Sequence, residues 1–359
     1  MRRKLSRISM VLGASGLLAA GLASSASAAT TASAASAATA QTWQQLLSVQ
    51  NNPVSSPFDE SAVTFDAVVA TGATTGWAFR SDSTVAYERT GAASWKQVAF
   101  PGGTGTVEAA AASSPSNVWA AYDFSGGSQI DHWNGQSWSV VKTFPGYVNG
   151  LSVLGAGDVW VYGGVDTNDD GIWHYHGGTW TEVSSTLQGG SALSDQNVWA
   201  FTGGTIEHFN GTAWSATNVT SLLPPTSTPQ VAGIVAVSPD DVYATGNGGE
   251  QGHGSPLAVL HYNGSAWTQV ASGSFQGGEQ LASDGNGGLW VLAVNGNQEV
   301  LHYTGGTLNV VNIPSATSQP VEPSSIALIP GTNGLLVGGY QYVTTSPTYT
   351  SNSLVLQYS

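Results

Sequence analysis

One phrase recurs along this chain and limits what it can fold into. "QIDHWNGQSWSVV" begins at Gln129, "GIWHYHGGTWTEV" at Gly171, "TIEHFNGTAWSAT" at Thr205 and "AVLHYNGSAWTQV" at Ala258. A second phrase precedes each of them: "SPSNVWAAY" from Ser114, "GAGDVWVYG" from Gly155, "SDQNVWAFT" from Ser194 and "SPDDVYATG" from Ser238. It continues as "GNGGLWVLA" from Gly285 and "GTNGLLVGG" from Gly331, and "GWAF" at Gly76 is its first member. Seven copies at roughly 45-residue spacing match the period of a four-stranded propeller blade. The expected fold is therefore all-β, a seven-bladed β-propeller of antiparallel blades.

Each unit reads strand by strand. "GIVAV" from Gly233 gives the innermost strand, "DVYAT" the second, "AVLHY" the third and "AWTQV" the fourth. Asn-Gly at 134–135, 210–211 and 263–264 supplies the positive φ of a tight hairpin between the last two strands. Blades are covered on both faces by their neighbours, so their strands appear as apolar runs rather than strict alternation. The final copy stops at "LVLQYS", a third strand with no fourth, whereas "QTWQQLLSV" near the start is a fourth strand with no predecessors. Pairing the two completes the seventh blade and removes the sheet edges that would invite aggregation.

Before that first strand the chain reads as an address. Arg2, Arg3, Lys4 and Arg7 precede the apolar run "VLGASGLLAAGLA", and Ala26-Ser27-Ala28 offers a small-residue cleavage site. Residues 1–28 are expected to be a secretory signal, by the general or the twin-arginine route, and residues 29–40 an Ala/Ser/Thr-rich flexible leader. A single propeller domain then spans 41–359, secreted and extracellular. Beyond the leader only Arg80, Arg89, Lys96 and Lys142 stand against 22 carboxylates. Such an acidic chain is repelled by nucleic-acid phosphates and anionic lipid, which argues against nucleic-acid and membrane partners. With no cysteine, thiol chemistry and disulfides are excluded, and burial alone must hold the domain together. The chain is expected to act as a monomer.

The pattern resembles the Kelch-like and Asp-box-like seven-bladed propeller repeats of secreted bacterial proteins, carried by "DVWA", "HYNG" and the trailing Trp. That resemblance implies the fold and leaves the activity open, since propellers host binding, scaffolding and enzymes. "SDGNGGLW" at 283 places its Asp one position early for a sialidase-type Asp box. The Kelch-like copper radical oxidases need a cysteine, which is absent here.

Repetition bears on the chemistry too. His132, His174, His208, His261 and His302 occupy one repeat position, filled by Glu88 in the first blade and Gln357 in the seventh. Equivalent atoms in stacked sheets stand roughly 10 Å apart, whereas ligands of one metal must lie within about 4 Å of one another. The ring of histidines therefore cannot converge on one ion, and a structural contact is expected. Trp43, Trp95, Trp138, Trp180, Trp214 and Trp267, with Trp77, Trp119, Trp160, Trp199, Trp290 and Tyr243 on the second strand, are read as blade-interface packing.

Functional residues should break the repeat. Turns joining strands one to two and three to four are short and alike, whereas the opposite face carries variable connections. "DTNDDG" there opens like a calcium loop through Asp166, Asn168 and Asp170, although position twelve is Gly177 rather than a closing Glu. Calcium is thus a candidate cofactor, with a polar hairpin turn the simpler account. His253 reads as a solvent-exposed loop residue. Tyr340, Tyr342 and Tyr349, on what reads as one long loop, offer rings to a ligand or pack over the blade edge. Eleven residues before the second-strand aromatic stand Asp66, Glu108, Asn149, Gln188, Ala232 and Glu279, with Glu322 slightly earlier in blade seven. These positions should ring the channel mouth, where polar residues are expected in any case.

Three functions are consistent with this reading. The first is a non-catalytic binding protein, with an extracellular glycan engaged by the variable face and acidic mouth. The second is a glycan hydrolase or lyase whose carboxylates come from Asp66, Glu108, Glu279 and Glu322; inverting glycosidases need two carboxyls about 6.5 to 9.5 Å apart. The third is a scaffold for a protein partner on the same rim.

Overall fold

A computed structural model describes residues 41–53, 63–163, 171–247, 256–295, 297–345 and 349–359. The expected signal and leader, residues 1–40, lie outside the described residues, as do Asp166, Asn168, Asp170 and His253. The described chain forms seven four-stranded antiparallel sheets. The innermost strands, in ring order, are Phe65–Gly72, Thr106–Ser114, Val148–Gly155, Gln188–Ser194, Gln230–Ser238, Gln276–Ser283 and Val321–Leu328. Each packs against the next, and the last returns to the first. The molecule is a closed seven-bladed β-propeller.

Closure occurs as the unmatched ends require. Trp43–Gln50 lies antiparallel to Tyr349–Tyr358 as the outermost strand of blade seven, pairing Trp43 with Tyr358 and Gln50 with Asn352. Mutual backbone bonds between Thr42 and Ser359, 2.9 and 3.1 Å, end the ladder. Two polar groups reinforce the seam. Buried Asn51 donates from Nδ2 to Val63 O (2.7 Å) and Ser351 Oγ (2.9 Å), and its Oδ1 accepts from Ser353 Oγ (2.9 Å). Buried Arg89 of blade one donates from Nη2 to Gln357 Oε1 of blade seven at 3.0 Å.

The recurring His and Trp now have a physical account. Each repeat histidine sits opposite the second-strand aromatic in register, as Trp119 opposite His132 and Trp290 opposite His302, and the rings stack at 3.9 to 4.6 Å between centroids. Glu88 and Gln357 occupy the same register in blades one and seven. Every one of these histidines bonds through Nε2 to the Asp or Asn that opens the second strand or its turn. His132 meets Asn117 (2.8 Å), His174 Asp158 (2.8 Å), His208 Asn197 (3.2 Å), His261 Asp241 (2.8 Å) and His302 Asp284 (2.8 Å). This unit locks strand two to strand three; where the acceptor is Asn117 or Asn197 it also takes the indole N–H of Trp119 or Trp199, both at 3.0 Å.

Between blades the aromatics interlock. Trp77 meets Trp138 of the next blade at 5.2 Å, Trp199 meets Trp267 at 5.8 Å, and Trp290 meets Tyr358 at 5.6 Å. Such rings can each remove about 150 to 250 Å² from water, which is how a core without disulfides is held. Small polar side chains of the innermost strands add stitches to the following blade. Ser152 Oγ accepts Ala192 N–H (3.1 Å), Ser191 Oγ accepts Ala236 N–H (2.9 Å), and Gln280 bonds both Ser324 O (2.9 Å) and Ile326 N–H (3.1 Å).

The seam makes a measurable demand. Asn51→Ala removes three hydrogen bonds from the seam, although Ser353 Oγ still donates to Val63 O at 2.8 Å, a cost of about 2 kcal/mol. Thermal unfolding is expected to shift down by about 5 °C. Deleting residues 41–50 is expected to lower the midpoint by on the order of 10 °C or more; an unchanged midpoint would refute the closure.

Candidate functional site

A repeated irregularity builds the channel mouth. Near the start of every innermost strand the ladder skips a residue, giving a β-bulge that releases a side chain from ordinary alternation. The extra residue is Asp66 in blade one, Glu108 in blade two, Asn149 in blade three, Gly189 in blade four and Ala232 in blade five. Blade six has two, Gly278 and Glu279, and blade seven has Ser324. The ring of residues eleven before the aromatic therefore coincides with the bulge in blades one, two, three, five and six. Gln188 precedes the blade-four bulge and pairs with Phe201.

Glu322 does not share this position. It is paired with Tyr340, two residues before Ser324, because the turn of blade seven from Leu328 to Leu335 is longer and shifts the count. Ser324 instead bonds across the closure: its Oγ donates to Phe65 O at 2.9 Å and lies 2.7 Å from Thr64 Oγ1. The bulge arc from blade six to blade two thus reads Glu, Ser, Asp, Glu, with Glu322 set toward the rim.

Environment separates these acids. Glu108 is buried and its Oε1 accepts a 2.6 Å bond from Thr106 Oγ1. Asp66 and Gln188 are half-buried. Glu322 Oε2 accepts the Gln298 N–H at 3.1 Å. Glu279 follows Gly277 (φ 80°) and Gly278 (φ 87°), a left-handed pair that a side chain would strain. Gly233 of blade five lies so close that a Cβ there would meet Glu279 O at 2.8 Å. Against this close backbone, burial pushes the Glu279 carboxyl up to about 7. Asp131, fully buried inside blade two, is likewise raised by burial to about 7, with Gln129 Nε2 at 3.1 Å from both oxygens working the other way.

The three tyrosines sit on strands rather than on a long loop. Leu335–Thr345 and Tyr349–Tyr358 continue pairing to Thr345 opposite Tyr349, so the segment forms a hairpin that projects past the blade on the variable face. Strand pairing here is carried through polar Tyr and Thr residues, and no apolar run marks it in the sequence. Tyr340 and Tyr342 lie two apart on one side and meet edge to face at 5.6 Å, and Tyr342 meets Tyr349 at 6.2 Å. Burial, then Glu322 and Tyr342, raise the Tyr340 hydroxyl to about 12. On the other side buried Gln341 donates to Ser315 Oγ (2.7 Å) and Gln319 O (2.8 Å), which anchors the hairpin to the preceding connection.

Asp284, one place early for an Asp box, still closes its turn. Its Oδ1 accepts the Asn286 and Gly288 N–H groups, both at 2.7 Å, while Oδ2 holds His302. Burial works to raise this carboxyl, but the bonds from His302 and the two backbone groups prevail and hold it below the ordinary value.

Solved structures share the architecture. The chain aligns with YCF48 bound to D1 peptide at 14% identity over 89% of this chain and 96% of that one, TM-score 0.55. It aligns with virginiamycin B lyase from Staphylococcus aureus with quinupristin at 12% identity over 88% and 100%, TM-score 0.59. A glycoside hydrolase of family GH74 from Niastella koreensis aligns at 13% identity over 85% of this chain and 55% of that one, TM-score 0.57. At such identities the likeness shows the fold alone, and the fold serves peptide binder, lyase and hydrolase alike. No family model and no curated protein matches the chain.

The raised carboxyl of Glu279 sets a pH dependence. Unfolded, the group releases its proton near 4.5; folded, it keeps it until about 7. Between those values the native state binds more protons, so this group's contribution to stability falls as pH rises through the window. Glu279→Gln removes the penalty and is expected to raise the melting midpoint at pH 8 by roughly 5 °C while changing it little at pH 4. Melting curves of both proteins across that range decide it.

Proposed function

We propose that this protein is a secreted, non-catalytic glycan-binding propeller whose site lies where the tyrosine hairpin of blade seven meets the channel mouth. The observation that carries this reading is the run of edge-to-face contacts Tyr340–Tyr342–Tyr349 beside Glu322 on a hairpin braced from behind. A sugar ring has an apolar C–H face and a hydroxyl rim. Half-buried aromatic rings complement the first, and the half-buried carboxylate and amide oxygens of Asp66, Gln188 and Glu322 accept from the second. With four cations beyond the leader against 22 carboxylates, a neutral glycan suits the surface better than an acidic one. The Arg-rich, apolar start of the chain supports the secreted location. Calcium at Asp166, Asn168 and Asp170 is compatible with this role and is not required by it.

One observation favours the enzymatic reading. A carboxyl raised to about 7, as that of Glu279 is, is suited to donate a proton at neutral pH, with Asp66 or Glu108 as the second carboxyl of the pair. A protein partner on the same rim is the third reading.

A glycan array read together with turnover assays separates the three. Retention of a neutral glycan without turnover is expected, and Tyr340→Ala or Tyr342→Ala is expected to weaken it about tenfold or more, the loss of a stacking contact with its burial. Turnover that disappears in Glu279→Gln would replace the lectin reading with the hydrolase or lyase. Silence in both assays, with a defined protein recovered on the intact rim, would replace it with the scaffold.

A further inference from the structure

Blade three departs from the repeat on the face of short turns, away from the tyrosine hairpin. In blades two, four and five an asparagine follows the third strand and caps the turn. Asn134 Oδ1 accepts from Gln136 and Ser137, Asn210 Oδ1 from Thr212 and Ala213, and Asn263 Oδ1 from Ser265 and Ala266, all between 2.9 and 3.1 Å. Blade three has His176 there instead. Its turn is closed by Gly177 (φ 57°) and Gly178 (φ 87°), so the strand Ile172–His176 runs on until His176 pairs with Thr179.

That extension has a geometric result. His174 and His176 are two residues apart on one strand and face the same way, and Asp158 stands directly opposite His176 on the neighbouring strand. His174 Nε2 lies 2.8 Å from Asp158 Oδ1, and His176 Nδ1 lies 3.7 Å from Asp158 Oδ2. One ligand atom from each of the three residues falls within 4.8 Å of the others.

Blade six is the internal control. It has the same two-glycine turn at Gly305 (φ 58°) and Gly306 (φ 80°), and its repeat histidine, His302, also bonds an aspartate at 2.8 Å, here Asp284 of the preceding turn. Thr304 stands where blade three has His176. The pair and the turn therefore belong to the framework, and the second histidine belongs to neither.

We infer that Asp158, His174 and His176 form a binding site for a divalent transition-metal cation, with zinc the best match. Two imidazoles and one carboxylate are a donor set for zinc and its neighbours, and too nitrogen-rich for calcium or magnesium. Around a tetrahedral zinc at about 2.0–2.1 Å, neighbouring donors stand roughly 3.3 Å apart; the three ligand atoms here lie within 4.8 Å of one another, so a modest inward movement of His176 completes the set. His174 is held by stacking on Trp160, centroids 4.1 Å apart at 13°, while His176, 63% exposed, supplies the adjustment. To ligate the metal, His174 must present an unprotonated Nε2, with the ring's proton carried on Nδ1. Because the His176 side chain is exposed, a fourth coordination position faces solvent and can take water or an external donor.

The test is calorimetric titration of the full chain with zinc chloride, followed by thermal unfolding with and without the metal. One equivalent of zinc and a metal-dependent rise in the midpoint are expected. His176→Asn and Asp158→Asn restore residues that other blades already carry at these positions, so both should fold. Each is expected to lose at least about tenfold in zinc affinity, and calcium is expected not to compete. Failure of the wild-type chain to bind zinc up to about 100 μM, or unchanged affinity in His176→Asn, would overturn the site. Because it lies on the opposite face from the tyrosines, neither result bears on glycan binding.

Discussion

The pairing of Trp43–Gln50 with Tyr349–Tyr358 is the constraint on which the rest of the molecule depends. Without it, blade seven has three strands, Tyr358 loses Trp43 at 4.9 Å, and the ring has a free edge. The contact joins residues separated by almost the whole described chain, the kind of pairing whose loop-closure cost must be met before it stabilises anything. Asn51, Arg89 and the Ser324–Phe65 bond gather at this junction, so the costly contact is also the one with the most buried polar support. Blade one against blade seven is consequently as firm as any interface made by chain neighbours.

Within blades two to six a second economy operates. The Asp or Asn, the Trp or Tyr and the His form one rigid unit, in which the aromatic covers the imidazole and the carboxylate or amide accepts its proton. Burial lowers the pKa of His132 and His208, the two that rest on asparagine rather than aspartate. The same residue types that elsewhere do chemistry here hold strands together. Only where blade three adds His176 do they acquire a geometry with another use.

Much of the architecture was legible because the repeat is a record of packing. The blade count, the orphan strands at either end and the structural role of the repeated His and Trp all follow from what a buried, doubly covered strand needs. The site was less legible. The acids of blades one, two and six aligned on spacing alone, but Glu322 did not, since a longer turn breaks the count where only strand pairing reveals the true equivalent, Ser324. Tyr340 to Tyr349 looked like loop because polar strands extending beyond a core carry no periodic apolar signal. Asp158 and His176 are far apart in sequence and become neighbours only through register, and Asn51 acts through partners some 300 positions away.

The bulge at the start of each inner strand has a consequence for how such a protein can diversify. A residue inserted between two ladder pairs is answered by no residue across the strand boundary, so exchanging it leaves the backbone ladder and its alternation intact. Asp, Glu, Asn, Gly, Ala and Ser already occupy this place in different blades of one chain. The aperture therefore offers one place per blade where the side chain can change around a fixed frame.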